Sequence, residues 1–134
     1  MRREELIEEI KKQYYNKRRE IKSWGKENSD ELKQCKNGVY TFFDAENKPL
    51  YVGMVSNAKT ASLYARLHAN GNAKHSIKEW YRDIAKIYFL KIKTKNKFHI
   101  MILERILIQE LKPIHNDLNY SEKELEKLYS LIKK

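Results

Sequence analysis

The sequence predicts an α+β fold: a small three-stranded antiparallel sheet flanked by helices, with an extra helix at the N-terminus. Three patterns predict it. Two runs rich in β-branched and aromatic residues, 38–43 and 49–55, flank the polar stretch Asp44-Ala45-Glu46-Asn47-Lys48, as the strands of a hairpin do. A third run, 86–95, alternates, with Lys91, Lys93 and Lys95 on one side and Leu90, Ile92 and Thr94 on the other. That alternation predicts a half-buried strand with a basic outer face. The remaining segments carry apolar residues at helical spacing and fit helices packed on the sheet.

The elements follow in order. Ile7, Ile10, Tyr14 and Ile21 recur at helical spacing, so residues 3–22 read as a helix whose stripe Trp24 extends. Gly25 and Asn28-Ser29-Asp30 break it, and a short helix over 29–35 can start on Ser29 or Asp30. After the hairpin, a helix is predicted from about 59 to 70, ending at Gly71, and another over 74–84. The alternating strand leads into a helix over 97–111, stopped by Lys112-Pro113. A last helix, 121–132, opens on Ser121 with Glu124 three residues on, the pattern of a capping box. This divides the chain into an N-terminal helical extension (1–36), a central domain (37–118) and a C-terminal helix (119–134) packed on that domain.

Composition narrows the function classes. A chain of 134 residues with 41% hydrophobic content builds one modest core. The net charge of +10 is uneven: residues 37–98 hold eleven Lys and Arg against four Asp and Glu, whereas residues 99–134 are balanced. A basic middle fits a polyanion such as nucleic acid, and equally a surface kept soluble by lysine. One cysteine, Cys35, excludes an internal disulfide and a thiolate zinc site within one chain. The charged start, Met1-Arg2-Arg3-Glu4-Glu5, is followed by no apolar stretch, so no signal peptide is expected, and the apolar stretch 100–111 is interrupted by Glu104, Arg105 and Gln109. A soluble cytoplasmic protein with no membrane partner is expected.

The chemistry lies in a constellation spread over 38–116. Gly38-Val39-Tyr40 on one strand is followed by Tyr51-Val52-Gly53 on its partner. Arg66 lies in the next helix, Glu104 in the long helix, and Asn116 after Lys112-Pro113-Ile114-His115. Together these resemble the GIY-YIG endonuclease family, with Val for Ile in both halves of its signature. Each tripeptide alone is a weak signal; five elements in the right order are a strong one.

The residues support that reading on their own terms. Tyr40 and Tyr51 sit on adjacent strands of one hairpin, so both hydroxyls can reach one site. A free tyrosine titrates near about 10, and a nearby cation such as Arg66 favours its phenolate. Arg66 can also grip a phosphate in bidentate fashion and offset transition-state charge. Glu104 has only Ile100, Met101, Leu107 and Ile108 at helical neighbour positions, with Arg105 pointing elsewhere around the helix. A carboxylate on an apolar face requires a partner, and Mg²⁺ or Mn²⁺ is a suitable one. The resemblance implies that Glu104 is the sole protein ligand of the metal and that Asn116 helps arrange the site. It also implies a one-metal hydrolysis of double-stranded or branched DNA, with Tyr40 or Tyr51 as base or water-orienting group.

The blander readings differ in weight. Strand tyrosines usually fill cores, Glu104 could pair with a distant lysine, and Asn after Pro is common in turns. The family's frequent histidine one helical turn beyond the arginine is Asn70 here. His68 and His75 are the substitutes, each a candidate general base or phosphate contact and each equally readable as a surface residue. Lys59 and Lys74, with Lys91, Lys93 and Lys95, are candidate phosphate contacts; the last three can also be a strand face guarded against edge pairing. The N-terminal stripe is expected to pack on the domain, with a homodimer or delivery of Lys17, Arg18 and Arg19 to DNA as its other uses. Two further readings of the whole are a non-catalytic nucleic-acid-binding module of the same fold and a subunit that docks a larger nuclease assembly.

Overall fold

A computed structural model of the chain describes residues 2–24, 30–56, 62–68, 75–93 and 97–116. Helix α1 (Arg3–Lys17) leads into strand β1 (Arg19–Ile21) and the short helix α2 (Asp30–Gln34). The hairpin follows as β2 (Gly38–Phe43) and β3 (Pro49–Val55), then α3 (Leu63–His68), two 3-10 turns (His75–Ile77 and Glu79–Asp83), β4 (Lys86–Lys91) and α4 (Lys97–Leu111). The predicted C-terminal helix and residues Lys59, Lys74 and Lys95 lie outside the described residues.

The three expected strands pair antiparallel, and a fourth joins them, giving the order β1-β4-β2-β3. The fourth is a correction to the predicted helix over 3–22. That helix stops at Lys17, and Arg19, Glu20 and Ile21 pair with Phe89, Tyr88 and Ile87. The predicted apolar stripe therefore splits. Ile10 packs on Ile102 and Ile106 of α4, and Tyr14 hydrogen-bonds the buried Thr41 of β2. Ile21 joins the core on the opposite face of the sheet, with Trp24 packed against that core. This consumption of the stripe within one chain does not support a homodimer through the helix.

Both faces of the sheet are covered. Val39, Val52, Leu90 and Ile92 pack under α1 and α4. Tyr40, Phe42, Ile87 and Phe89 pack under Leu32 and Cys35 near α2 and under Leu63 and Leu67 of α3. β4 is thus buried on both sides until Lys91, instead of presenting the basic face that alternation predicted. Only Lys91 and Lys93, at and beyond the strand's end, are exposed.

The turns are set locally. The Asp44 carboxylate accepts from the amides of Glu46 and Lys48, and Asn47 takes the left-handed φ of 63° that the hairpin loop needs. α4 ends with Lys112 at φ 51°, ahead of Pro113, which cannot continue a helix. No helix among the described residues is long and apolar enough to cross a membrane.

Candidate active site

The site is organised by one cross-strand contact. Tyr40 on β2 stands opposite Gly53 on the edge strand β3. A Cβ on Gly53 would overlap the Tyr40 ring and hydroxyl, with Cε2 at 2.8 Å. Glycine here lets the phenol lie across β3, toward the helix that packs on that edge. Gly38 has a comparable role at the start of β2, where a Cβ would strike the Leu90 carbonyl and the Phe89 ring. Both glycines are therefore demanded by close approach and not by backbone conformation.

The Tyr40 hydroxyl meets His75 Nε2 at 2.7 Å, with both residues buried at 2% and 3% exposure. His75 arrives on the first 3-10 turn, where a continuous helix over 74–84 was predicted. An aromatic wall surrounds the pair. Tyr51 lies 4.7 Å from His75 between ring centroids and stacks on Trp80 at 5.5 Å, and Trp80 stacks on His115 at 5.1 Å.

Burial and several charged neighbours act on this cluster. Burial pushes the Tyr40 phenol well above its ordinary value, Tyr51 and Glu104 add to the rise, and Arg66 opposes it. Burial lowers His75 from 6.5 to about 4, helped by the positive charges of Arg66 and Lys78. Burial raises Glu104 from 4.5 to about 7, with Arg105 and then Arg66 opposing. Arg66 thus acts on Tyr40, His75 and Glu104 alike, which puts α3, β2, the 3-10 turn and α4 around one centre. Arg105, expected to point away from Glu104, is nonetheless the cation that favours its carboxylate most.

The other predicted residues sit apart. His68 Nε2 meets the Trp24 carbonyl at 3.3 Å, and its ring packs against Tyr64 and Tyr81, away from Tyr40. Asn116 accepts from the Val52 amide at 2.8 Å and donates to the Val52 carbonyl at 2.9 Å. Its carboxamide extends the sheet by one strand position and clamps the segment after α4 onto β3. His115 and Ile114 amides strengthen the clamp through the Leu50 and Pro49 carbonyls. Lys91 ends β4, the strand between β1 and β2, opposite Gly38, and Lys93 follows it, so neither lies at the β3 edge.

Trp80, His115, Lys78 and the reason for Gly53 escaped the sequence reading. Neither Trp80, in a segment read as helical, nor His115, in the turn after Lys112-Pro113, carried a signal of its own.

The arrangement fits a divalent cation. Glu104 is a half-buried carboxylate whose charged form burial disfavours, beside a phenol and a guanidinium. One carboxylate with water and phosphate oxygens is the donor set that Mg²⁺ or Mn²⁺ accepts. No cluster of three His, Cys, Asp or Glu side chains occurs among the described residues, so an all-protein cage is not built there.

Comparison with known proteins gives the family. Residues 36–117 match the family model described as the UvrC-like GIY-YIG domain. The "UvrABC system protein C" of Campylobacter jejuni subsp. jejuni serotype O:23/36 is 35% identical over 112 residues, covering 78% of this chain and 18% of that protein. The protein of the same name from Ruegeria pomeroyi is 37% identical over 87 residues, 64% of this chain and 13% of that protein. The chain thus spans less than a fifth of these relatives. No solved structure matches.

Proposed function

The chain belongs to the GIY-YIG family, and from that premise we propose that it is a metal-dependent endonuclease hydrolysing DNA phosphodiester bonds. The observation that carries the proposal is the 2.7 Å contact of the Tyr40 hydroxyl with His75, under the charges of Arg66 and Glu104.

The raised Tyr40 phenol is a poor base alone, because it holds its own proton at neutral pH. Its contact with His75 offers a route around this. Burial keeps His75 neutral at pH 7, and in its Nδ1–H tautomer Nε2 has a lone pair for the phenolic proton. As Tyr40 Oη takes a proton from the attacking water, it passes its own to Nε2, and His75 becomes imidazolium. The negative charge of a bound phosphate favours that imidazolium. The water oxygen forms its bond to phosphorus, the P–O3′ bond breaks, and the departing oxygen takes a proton from solvent.

Arg66 offsets the charge that gathers on the non-bridging oxygens. Tyr51 and Trp80 wall the pair against bulk water. Glu104 would hold a divalent cation, Mg²⁺ or Mn²⁺, which would supply positive charge to the phosphoryl transfer. Asn116 is a positioning residue in this scheme: its grip on Val52 holds the end of α4 against the strand that carries Tyr51.

The substrate is double-stranded or branched DNA. The test incubates the protein with branched, nicked and plain duplex DNA, in Mg²⁺ or in chelator. Cleavage confined to the metal-containing reactions is expected, and Glu104→Ala should bind DNA yet not cut it. Absence of metal-dependent cleavage on every substrate would leave only a binding module, and full activity in Glu104→Ala would remove the metal role.

A further inference from the structure

Far from the tyrosines, a second feature remains unused by this chemistry. A groove of about 660 Å³ runs beside the outer edge of the sheet, lined by Lys17, Arg19, Lys33, Lys36 and Lys91, with Gln34 and the Phe89 ring. The five cations come from four separate places: the end of α1, β1, α2 with the residues that follow it, and the end of β4. All five are exposed, and no carboxylate forms an ion pair with any of them among the described residues. The nearest acid on α2, Glu31, is turned away to accept from the Lys22 and Ser23 amides. Arg19 is steadied by Cys35 Sγ at 3.7 Å, and Lys33 lies 5.0 Å from the Tyr64 ring.

Like charges gathered from four places repel one another, and no ion pair among the described residues offsets this. Such a groove is built for a polyanion that supplies the missing charge. Its position relates it to the tyrosine site. Arg19, Phe89, Tyr40 and Gly53 form one row across the sheet, from β1 through β4 and β2 to β3. Residues directly opposite on paired strands share a face, so the groove and Tyr40 belong to the same face at opposite edges. Three strand spacings of about 4.8 Å separate the ends of the row, roughly 14 Å. Along the axis of a DNA duplex that distance is about four base pairs at 3.4 Å each.

We propose that this five-cation groove is a second DNA contact, gripping the phosphate backbone about four base pairs along the duplex axis from the phosphate at Tyr40. The inference rests on the DNA reading above and adds where the substrate is held away from the bond that breaks. It accounts for β1: the strand that ends α1 early carries Arg19 into the groove and leaves Lys17 at its rim.

The test is the salt dependence of binding to a fluorescent 30-base-pair duplex, followed by anisotropy in chelator so that nothing is cut. Each phosphate contact contributes about 0.9 to the slope of log K against log salt. The triple variant Lys33→Gln, Lys36→Gln, Lys91→Gln should lower the slope by about 2.5 to 3 and weaken binding at least about 10-fold near 0.15 M salt. Gln34→Lys, which adds a cation to the groove lining, should raise slope and affinity. Single-turnover cleavage at saturating protein should be unchanged in both.

Slope and affinity equal to wild type in both variants overturn the proposal, as does a wild-type protein that binds no duplex. A dimer at low salt that the triple variant abolishes, with DNA binding unchanged, also overturns it, in favour of the Glu4, Glu5, Glu8 and Glu9 stretch of a second copy's α1 as occupant. Groove-dependent binding by a protein that cuts no substrate supports the groove and defeats the nuclease reading alone. Cleavage with groove-independent binding does the reverse.

Discussion

Substituting Gly53 by alanine tests the geometry of the site through one methyl group. The added Cβ would sit 2.8 Å from Tyr40 Cε2 and closer still to Cζ and the hydroxyl, against an ordinary contact of 3.4 Å or more. The ring must therefore retreat by on the order of an ångström. It has no slack for this, being 2% exposed and packed between Phe42, Tyr51 and His75. Overpacking of this kind costs about 1–3 kcal/mol. Losing the 2.7 Å contact with His75 leaves two buried polar groups poorly paired, for roughly 1–3 kcal/mol more. Gly53→Ala should then be destabilised by about 2–6 kcal/mol, which lowers Tm by roughly 7–20 °C for a chain of this size. An ångström of displacement at the reacting groups should cost about 100-fold in cleavage rate. Thermal unfolding and single-turnover cleavage read the two effects. The same glycine substitution in a Tyr40→Ala background should cost far less stability, because the clash has been removed. A Gly53→Ala protein with wild-type Tm and cleavage within threefold of wild type would refute the reasoning.

Further outcomes follow from the same site. Tyr40→Phe keeps the ring but removes the hydroxyl, and cleavage should fall about 100-fold or more, with DNA affinity within a factor of two by anisotropy. Asn116→Ala loses both bonds to Val52 and should cost about 1–3 kcal/mol by denaturant titration, with Asn116→Asp no better because its carboxylate cannot donate to the Val52 carbonyl. Glu104 and His75 should tilt stability against pH in opposite senses in chelator. The Glu104 carboxyl is raised from 4.5 to about 7, so its contribution is whole below pH 4.5 and is lost as pH rises toward 7. His75 is depressed from 6.5 to about 4, so its contribution is present above pH 6.5 and is lost as pH falls toward 4. The two offset each other in the wild type. Glu104→Gln should therefore gain stability from pH 4 to 6.5, and His75→Gln should lose it from 4.5 to 7, each by up to about 3 kcal/mol. Parallel Tm–pH curves for wild type and both variants would contradict this.

The parts of this protein that its sequence exposes are those encoded by neighbours along the chain. Helix α4 was predicted over 97–111 and found there, because its apolar residues recur at one period and Lys112-Pro113 ends it. The hairpin was equally legible, since two β-branched runs and an Asp–Asn loop are local statements. β1 was not. Three residues carry no period, and their partners at 87–89 lie some 68 positions away, so only the finished sheet makes them a strand. The region 74–84 shows the same limit: helical spacing was read where two 3-10 turns form.

For the site, the identities of Tyr40, Tyr51, Arg66, Glu104 and Asn116 were visible as residue types at recognisable spacings. What each one touches was not. His68 and His75 were interchangeable on the page, yet the chain path takes one to the Trp24 carbonyl and the other to the Tyr40 hydroxyl. The five cations of the groove are scattered from 17 to 91 and form no motif. Local pattern sets which residues can do chemistry, because periodicity and turn residues act over a few positions. Burial, ring contacts and electrostatic neighbours arise only when segments distant in sequence pack together. That packing selects His75 over His68 as Tyr40's partner, lifts Glu104 to about 7 and opens a basic groove at the far edge of the sheet.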